Sequence, residues 1–185
     1  MKINFYTAMK ITLVTFLWAG ICQAQEKRKV TLEDYKLWHT IKTGATSDDG
    51  VWTSYSKTYM NHIDTLYLKN TKSDFEYVFP MGYNEKITKK GDRFAFLISG
   101  SLYVLNTQSG KQQEYPNVIG YELSENGKYL IYQSANTLTF EFVKSGKTKQ
   151  LEHVKEYSVS PNQEYVAVIQ NNEGGTAIKL VSLSD

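Results

Sequence analysis

The sequence predicts an all-β fold: a partial β-propeller of about four blades of four antiparallel strands, preceded by a signal peptide and a short helix. Three observations predict it: a repeat of 36 residues, turn residues at fixed places in each repeat, and strands that are apolar on both faces.

Four segments share a polar-x-x-Gly-x start followed by a β-rich run. They are Ser47-Asp48-Asp49-Gly50 before Val51–Tyr55, Thr88-Lys89-Lys90-Gly91 before Asp92–Phe96, and Ser124-Glu125-Asn126-Gly127 before Lys128–Tyr132. The fourth, Ser160-Pro161-Asn162-Gln163 before Glu164–Val168, lacks the glycine. Their starts lie 41, 36 and 36 positions apart. Three further landmarks keep this register. Leu66-Tyr67-Leu68, Leu102-Tyr103-Val104 and Leu138-Thr139-Phe140 are 36 apart, as are Asn70-Thr71 and Asn106-Thr107, and Ser109-Gly110-Lys111 and Ser145-Gly146-Lys147. In the fourth unit Ile178-Lys179-Leu180 follows at 40, after a longer loop through Asn171–Gly175.

Each unit reads as four short strands; in the third they are Tyr121–Leu123, Tyr129–Gln133, Thr137–Val143 and Lys149–Val154. The intervening Asn-Gly and Ser-Gly pairs supply the positive φ angles that tight turns need. Side chains alternate along a strand, so Leu130 and Tyr132 point to one face and Tyr129 and Ile131 to the other. A strand apolar on both faces must be covered on both. Four-stranded sheets stacked face to face around an axis meet that need, with about 40 residues per blade. An ordinary β-sandwich also spaces its strands by about 8–12 residues, but it requires no repeat in both length and residue type.

Ahead of the repeat, Lys2 and Lys10 flank a stretch without acidic residues, an apolar run spans Ile11 to Ile21, and Cys22-Gln23-Ala24 precede a highly polar Gln25–Lys29. These are the marks of a secretory signal peptide, and the run is shorter than the roughly 20 residues a transmembrane helix needs. A lipid anchor on Cys22 is disfavoured by the bulky Ile21, so cleavage is expected after Ala24, with no stable membrane anchor afterwards. Export to the periplasm or the extracellular space follows. The organisation is then a signal peptide over 1–24, an arm with a short helix over 25–43, and the partial propeller over 44–185, with blades near 44–80, 81–117, 118–154 and 155–185. In the arm, Thr31 and Asp34 form a capping-box-like start, predicting a helix over Thr31–His39 that docks Tyr35, Leu37 and Trp38 on the first blade.

The whole chain has 21 basic and 19 acidic residues; without Lys2 and Lys10 the counts are equal at 19. A near-neutral chain with interspersed signs lacks the clustered basic footprint of nucleic-acid binding. The single cysteine leaves with the signal peptide, which excludes a disulfide framework.

No catalytic, cofactor or metal residue is assigned. His62-Ile63-Asp64 falls short of the three or four ligands of a zinc site, and His62 reads as a loop residue. His39 reads as a cation at the end of the arm helix. His153 has no partner group in the pattern. Asp48, Asp49 and Asp92 stand beside Gly50 and Gly91 as turn formers, without the alternating oxygen ligands of a calcium loop. Tyr55, Tyr67, Tyr103, Tyr129, Tyr132 and Tyr165 fall at strand positions and suit packing. Tyr59, Tyr83 and Tyr115 lie in looser segments and are better candidates for exposed contacts, as a carbohydrate-binding surface would need, although core or loop support is the preferred account of them too.

Leu32–Trp38 followed by Gly44–Trp52 resembles the opening of exported bacterial proteins of the prolyl oligopeptidase family, and Ser160-Pro161-Asn162 and Gly127–Tyr132 are similar to its blade motif Ser-Pro-Asp-Gly-Lys-Trp-Leu-Ala-Tyr. The resemblance runs from Thr31 to Asp185. It implies a propeller that precedes an α/β-hydrolase domain and gates peptide access to it. The nucleophile elbow Gly-x-Ser-x-Gly with a later acid and histidine is absent from this chain; Gly100-Ser101 is followed by Leu102 inside a blade. The expected function is therefore the non-catalytic propeller portion of a serine peptidase of that kind. Its partners would be a hydrolase domain of the same polypeptide, missing here, and peptide substrates reached through that domain. The alternative is a stand-alone periplasmic binding or scaffold propeller with a protein or glycan partner, in which Lys27–Val30 completes the last blade.

Overall fold

A computed structural model describes residues 27–60 and 63–183. Met1–Tyr35 and Lys36–Asp185 form two compact units. The segment 1–24, expected to be a signal peptide, lies outside the described residues, as does His62.

Fifteen strands build four antiparallel sheets, each made of strands consecutive in sequence. The first sheet holds β1 (His39–Thr46), β2 (Trp52–Tyr59), β3 (Thr65–Asn70) and β4 (Glu76–Pro80). The second holds β5 (Tyr83–Ile87), β6 (Arg93–Ile98), β7 (Ser101–Asn106) and β8 (Gln112–Tyr115). β9 (Gly120–Leu123), β10 (Tyr129–Ser134), β11 (Thr137–Phe142) and β12 (Lys147–Leu151) form the third. The fourth has three strands, β13 (Val154–Val159), β14 (Tyr165–Asn172) and β15 (Gly175–Ser182). This is the partial propeller that the repeat predicts.

The double-faced strands do what the alternation requires. Leu66 and Leu68 of the first sheet pack with Phe94 and Phe96 of the second. Leu102 and Val104 of the second meet Leu130, with Tyr132 beside it. Leu138 and Phe140 of the third meet Val166 and Val168 of the fourth. Tyr129 and Ile131 belong to that last seam while Leu130 belongs to the one before, so one strand serves two cores.

The polar-x-x-Gly element is a turn with a fixed bond set. The hydroxyls of Ser47, Thr88, Ser124 and Ser160 each accept the N–H of the residue five places on, at 3.0–3.2 Å. The third residue on returns its N–H to the same residue's carbonyl. That third residue has φ of 65°, 67° and 68° at Gly50, Gly91 and Gly127. Gln163 occupies the corresponding place in the fourth unit at φ 56°. It keeps the turn without glycine, a conformation that normally carries a steric cost outside glycine.

Four details differ from expectation. The capping box is present, with Asp34 Oδ2 accepting the N–H and hydroxyl of Thr31 at 2.7 and 2.9 Å, but it opens only a 3-10 helix at Asp34–Leu37 that buries none of its residues. His39 does not end a helix; it opens β1, because His39–Thr43 pair with Tyr55–Tyr59. The first sheet thus begins inside the segment assigned to the arm. Val154 belongs to β13, not to the last strand of the third sheet. Among the described residues, Lys27–Val30 form no strand.

Candidate functional site

The first strands of the sheets carry a set of polar contacts that tie one sheet to the next. At one repeat position stand Gly44, Glu85, Tyr121 and Tyr157, spaced 41, 36 and 36. Each of the last three reaches back to the preceding sheet. Glu85 accepts the Ser54 hydroxyl at 3.2 Å. The Tyr121 hydroxyl donates to the carbonyls of Asn84 and Ala95, the latter at 3.0 Å. Tyr157 extends its hydroxyl towards Gly120. Gly44 leaves the room that Glu85 fills: a Cβ there would lie 2.0 Å from Glu85 Oε1 and 2.2 Å from Ser54 Oγ.

One position further on, Lys86 Nζ meets Glu122 Oε2 at 2.7 Å. Tyr157 lines a groove of about 540 Å³ together with Asn84, Tyr121, Glu122, Ser158 and Ser160. Burial, with the Glu122 charge adding to it, pushes the Tyr157 hydroxyl up to about 12. Burial also raises Tyr121, with Glu85 and Glu122 contributing. The groove therefore offers neutral phenols, carbonyls and a paired carboxylate. No histidine lines it, and Ser160 is committed to its own turn. Such a surface can hydrogen-bond an extended chain, and its carboxylate, Glu122, is held by Lys86.

The weighed residues are distributed as follows. Asp49 accepts the Ser47 hydroxyl and the Val51 N–H at 2.6 and 3.0 Å, which lowers its carboxyl below the usual range. Asp92 accepts the Thr88 hydroxyl. Asp48 donates its N–H to the Lys89 carbonyl at 2.8 Å. All three serve turns or seams. His39 Nδ1 lies 2.9 Å from the Leu37 carbonyl and its ring faces Tyr59, while His153 sits at φ 58° in the turn before β13. Among the described residues no three His, Cys, Asp or Glu side chains cluster as metal ligands. Ser101 opens β7 after a turn at Ser99 and Gly100, both at positive φ.

Tyr83 is exposed, as a loose-segment tyrosine should be, and Tyr59 ends β2 half-buried. Tyr115 takes the core role rather than the exposed one. It is buried at the end of β8, opposite Leu102, with its hydroxyl donated to Glu141 at 2.9 Å. Its place 36 residues after Phe79 and 36 before Leu151 is the signal that identifies it as core.

No protein-family model and no curated protein sequence matches the chain. Solved structures do. The β-propeller domain of the Trilobed protease from Pyrococcus furiosus, described as having an open velcro topology, superposes with a TM-score of 0.57 at 13% identity, covering 80% of this chain and 58% of that one. Pyrococcus horikoshii acylaminoacyl peptidase gives 0.54 at 11% identity, covering 82% and 32%. A dihydro-heme d1 dehydrogenase, NirN, gives 0.51 at 14% identity over 78% and 35%. The likeness is one of fold. The chain spans just over half of the protease propeller and a third of the acylaminoacyl peptidase.

Proposed function

We propose that the chain is the non-catalytic propeller portion of an exported, prolyl oligopeptidase-like serine peptidase, and that it gates peptide access to a hydrolase domain. The observation that carries this reading is the pairing of a peptidase-like propeller fold with a polar groove that has hydrogen-bonding groups and no nucleophile–base pair. The chain's own residues would then bind and orient peptide, and bond cleavage would lie elsewhere.

The reading is tested in the source cells with an antibody raised against the chain and a fluorophosphonate probe for active serines. The expected result is an exported polypeptide well above 21.2 kDa that carries both signals. A species at or below that mass that takes up no probe, with no larger partner, overturns it.

A further inference from the structure

The three seams between neighbouring sheets use the same repeat positions, and the middle one departs from the other two. The residue that opens the second strand of each sheet is Trp52 in β2, Arg93 in β6 and Tyr129 in β10, spaced 41 and 36. On the facing sheet the matching position holds Leu105, Glu141 and Val181, which stand opposite Phe94, Leu130 and Val166 in register. In the first seam Trp52 packs against the cluster that contains Leu105, with the Tyr77 ring centre 5.9 Å from its own. In the third, Tyr129 and Val181 are buried in one cluster. The middle seam puts charges in place of both apolar partners. It opens there into a cleft of about 310 Å³, whose walls include Arg93, Lys111, Gln113 and Glu141 beside an apolar lining of Val104, Leu123 and Leu130.

Arg93 and Glu141 are both half-buried, and charges withdrawn from water ordinarily pair. Yet Arg93 forms neither an ion pair nor a side-chain hydrogen bond among the described residues. Glu141 is held by Tyr115 instead, whose hydroxyl donates to Oε2 at 2.9 Å. Burial and Glu141 raise that hydroxyl and Arg93 lowers it, so both charges lie about one phenol. We propose that this cleft binds a free amino acid with an apolar side chain, its carboxylate on the Arg93 guanidinium and its ammonium on Glu141. The planar fork of arginine matches a carboxylate with two parallel hydrogen bonds. Glu141 keeps its second oxygen for the ammonium, and Val104, Leu123 and Leu130 receive the side chain. A simple anion would meet the Glu141 charge, and a simple cation would meet Arg93 and Lys111. A molecule whose two charges sit on one carbon satisfies both walls. The cleft lies at the lower end of the roughly 300–1,000 Å³ of small-molecule sites, which suits so small an occupant.

This site is separate from the groove at Tyr157 and does not rest on the peptidase reading. Titration calorimetry of the full chain with L-leucine and L-phenylalanine tests it, with N-acetyl-L-leucine and L-leucinamide as analogues that each lack one charge. The expected result is saturable one-to-one binding of at least one of the two amino acids, with a Kd of about 1 mM or tighter. The analogues, which need no change in the protein, should bind about tenfold more weakly or worse. Arg93→Met and Glu141→Gln should each weaken the amino acid by a similar factor; the glutamine still accepts the Tyr115 hydroxyl, so that variant keeps the seam. Hydrogen exchange at β8 and β11 should slow with the amino acid in the unsubstituted chain and not in the variants. Absence of saturable binding of both amino acids overturns the proposal, as does binding that either variant retains. So does an analogue that binds as tightly as leucine, which would make the cleft a site for a simple anion or cation.

Discussion

The first and fourth sheets each present one face to solvent, and the two faces differ in kind. On the first sheet the outward row is Thr43, Tyr55, Tyr67 and Val78, flanked by Lys57 and Thr65 and by Thr53, Lys69 and Glu76. Its groups satisfy one another. The Tyr55 and Tyr67 rings stack at 4.8 Å, and Lys57 Nζ lies 4.8 Å from the Tyr67 ring centre. The Tyr55 hydroxyl donates to Glu76 Oε2 at 2.9 Å. Val78 and Ile41, the exposed large aliphatic residues, sit on its margin strands. On the fourth sheet the outward face carries Tyr165, Ala167, Ile178 and Leu180, with no comparable bonding, and Leu180 is 67% exposed. Its counterpart in the third sheet, Phe140, is fully buried. Stacked repeats need a polar terminal face for solubility. The first sheet has one; the fourth has the chemistry of an interior.

The sharpest test of that contrast substitutes one repeat position in its two settings. Phe140→Ala removes a ring from the third seam and should cost about 3–5 kcal/mol in urea unfolding, whereas Leu180→Ala should stay within about 0.5 kcal/mol. Similar losses at both sites would show that the fourth face is covered in solution. Next in size, Tyr121→Phe deletes the hydroxyl that ties the third sheet to the second, at about 1–2 kcal/mol. The same measurement on Tyr55→Phe, on the solvated face, should give less than half of that.

Alkaline pH probes the buried phenols. Tyr129 and Tyr157 are raised to about 12, chiefly by burial. The unfolded chain loses these protons near pH 10 while the folded chain retains them, so stability is complete below pH 10 and falls as pH rises from 10 towards 12. The fall should be shallower in Tyr157→Phe, read as the urea midpoint against pH. Lys57→Gln removes the cation from the tyrosine pair and should cost about 0.5–1 kcal/mol. A high-salt titration that leaves wild type and variant equally spaced would argue against a charge effect.

The sheets were legible in the sequence because repeat spacing and strand alternation both record packing. Leu130 and Ile131 fall in different cores, as their alternation requires. The arm was less legible. Thr31 and Asp34 do make the local bonds of a helix start, but pairing of His39–Thr43 with β2 takes the following residues into a strand. A tertiary contact thereby overrides a local signal. Tyr115 was less legible for a related reason. Judged by its neighbours Gln112–Glu114 and Pro116 it looks like loop, and only the interval to Phe79 and Leu151 marks it as an anchor. The inter-sheet position was harder to see, since Gly44, Glu85 and Tyr121 differ in type and share only their repeat position. The export signal and the partners remain proposals.

The turns also carry a load path. The N–H of Asp48 bonds the carbonyl of Lys89 at 2.8 Å, and the N–H of Lys89 bonds that of Glu125 at 2.7 Å. At the next rung Glu125 donates instead to the side-chain Oε1 of Gln163, at 3.1 Å. The equivalent position is Pro161, whose carbonyl could accept but which has no N–H to donate to a further rung. Along this line of turns tension passes through two backbone rungs and one flexible side chain, and rupture of the line should start at that last rung.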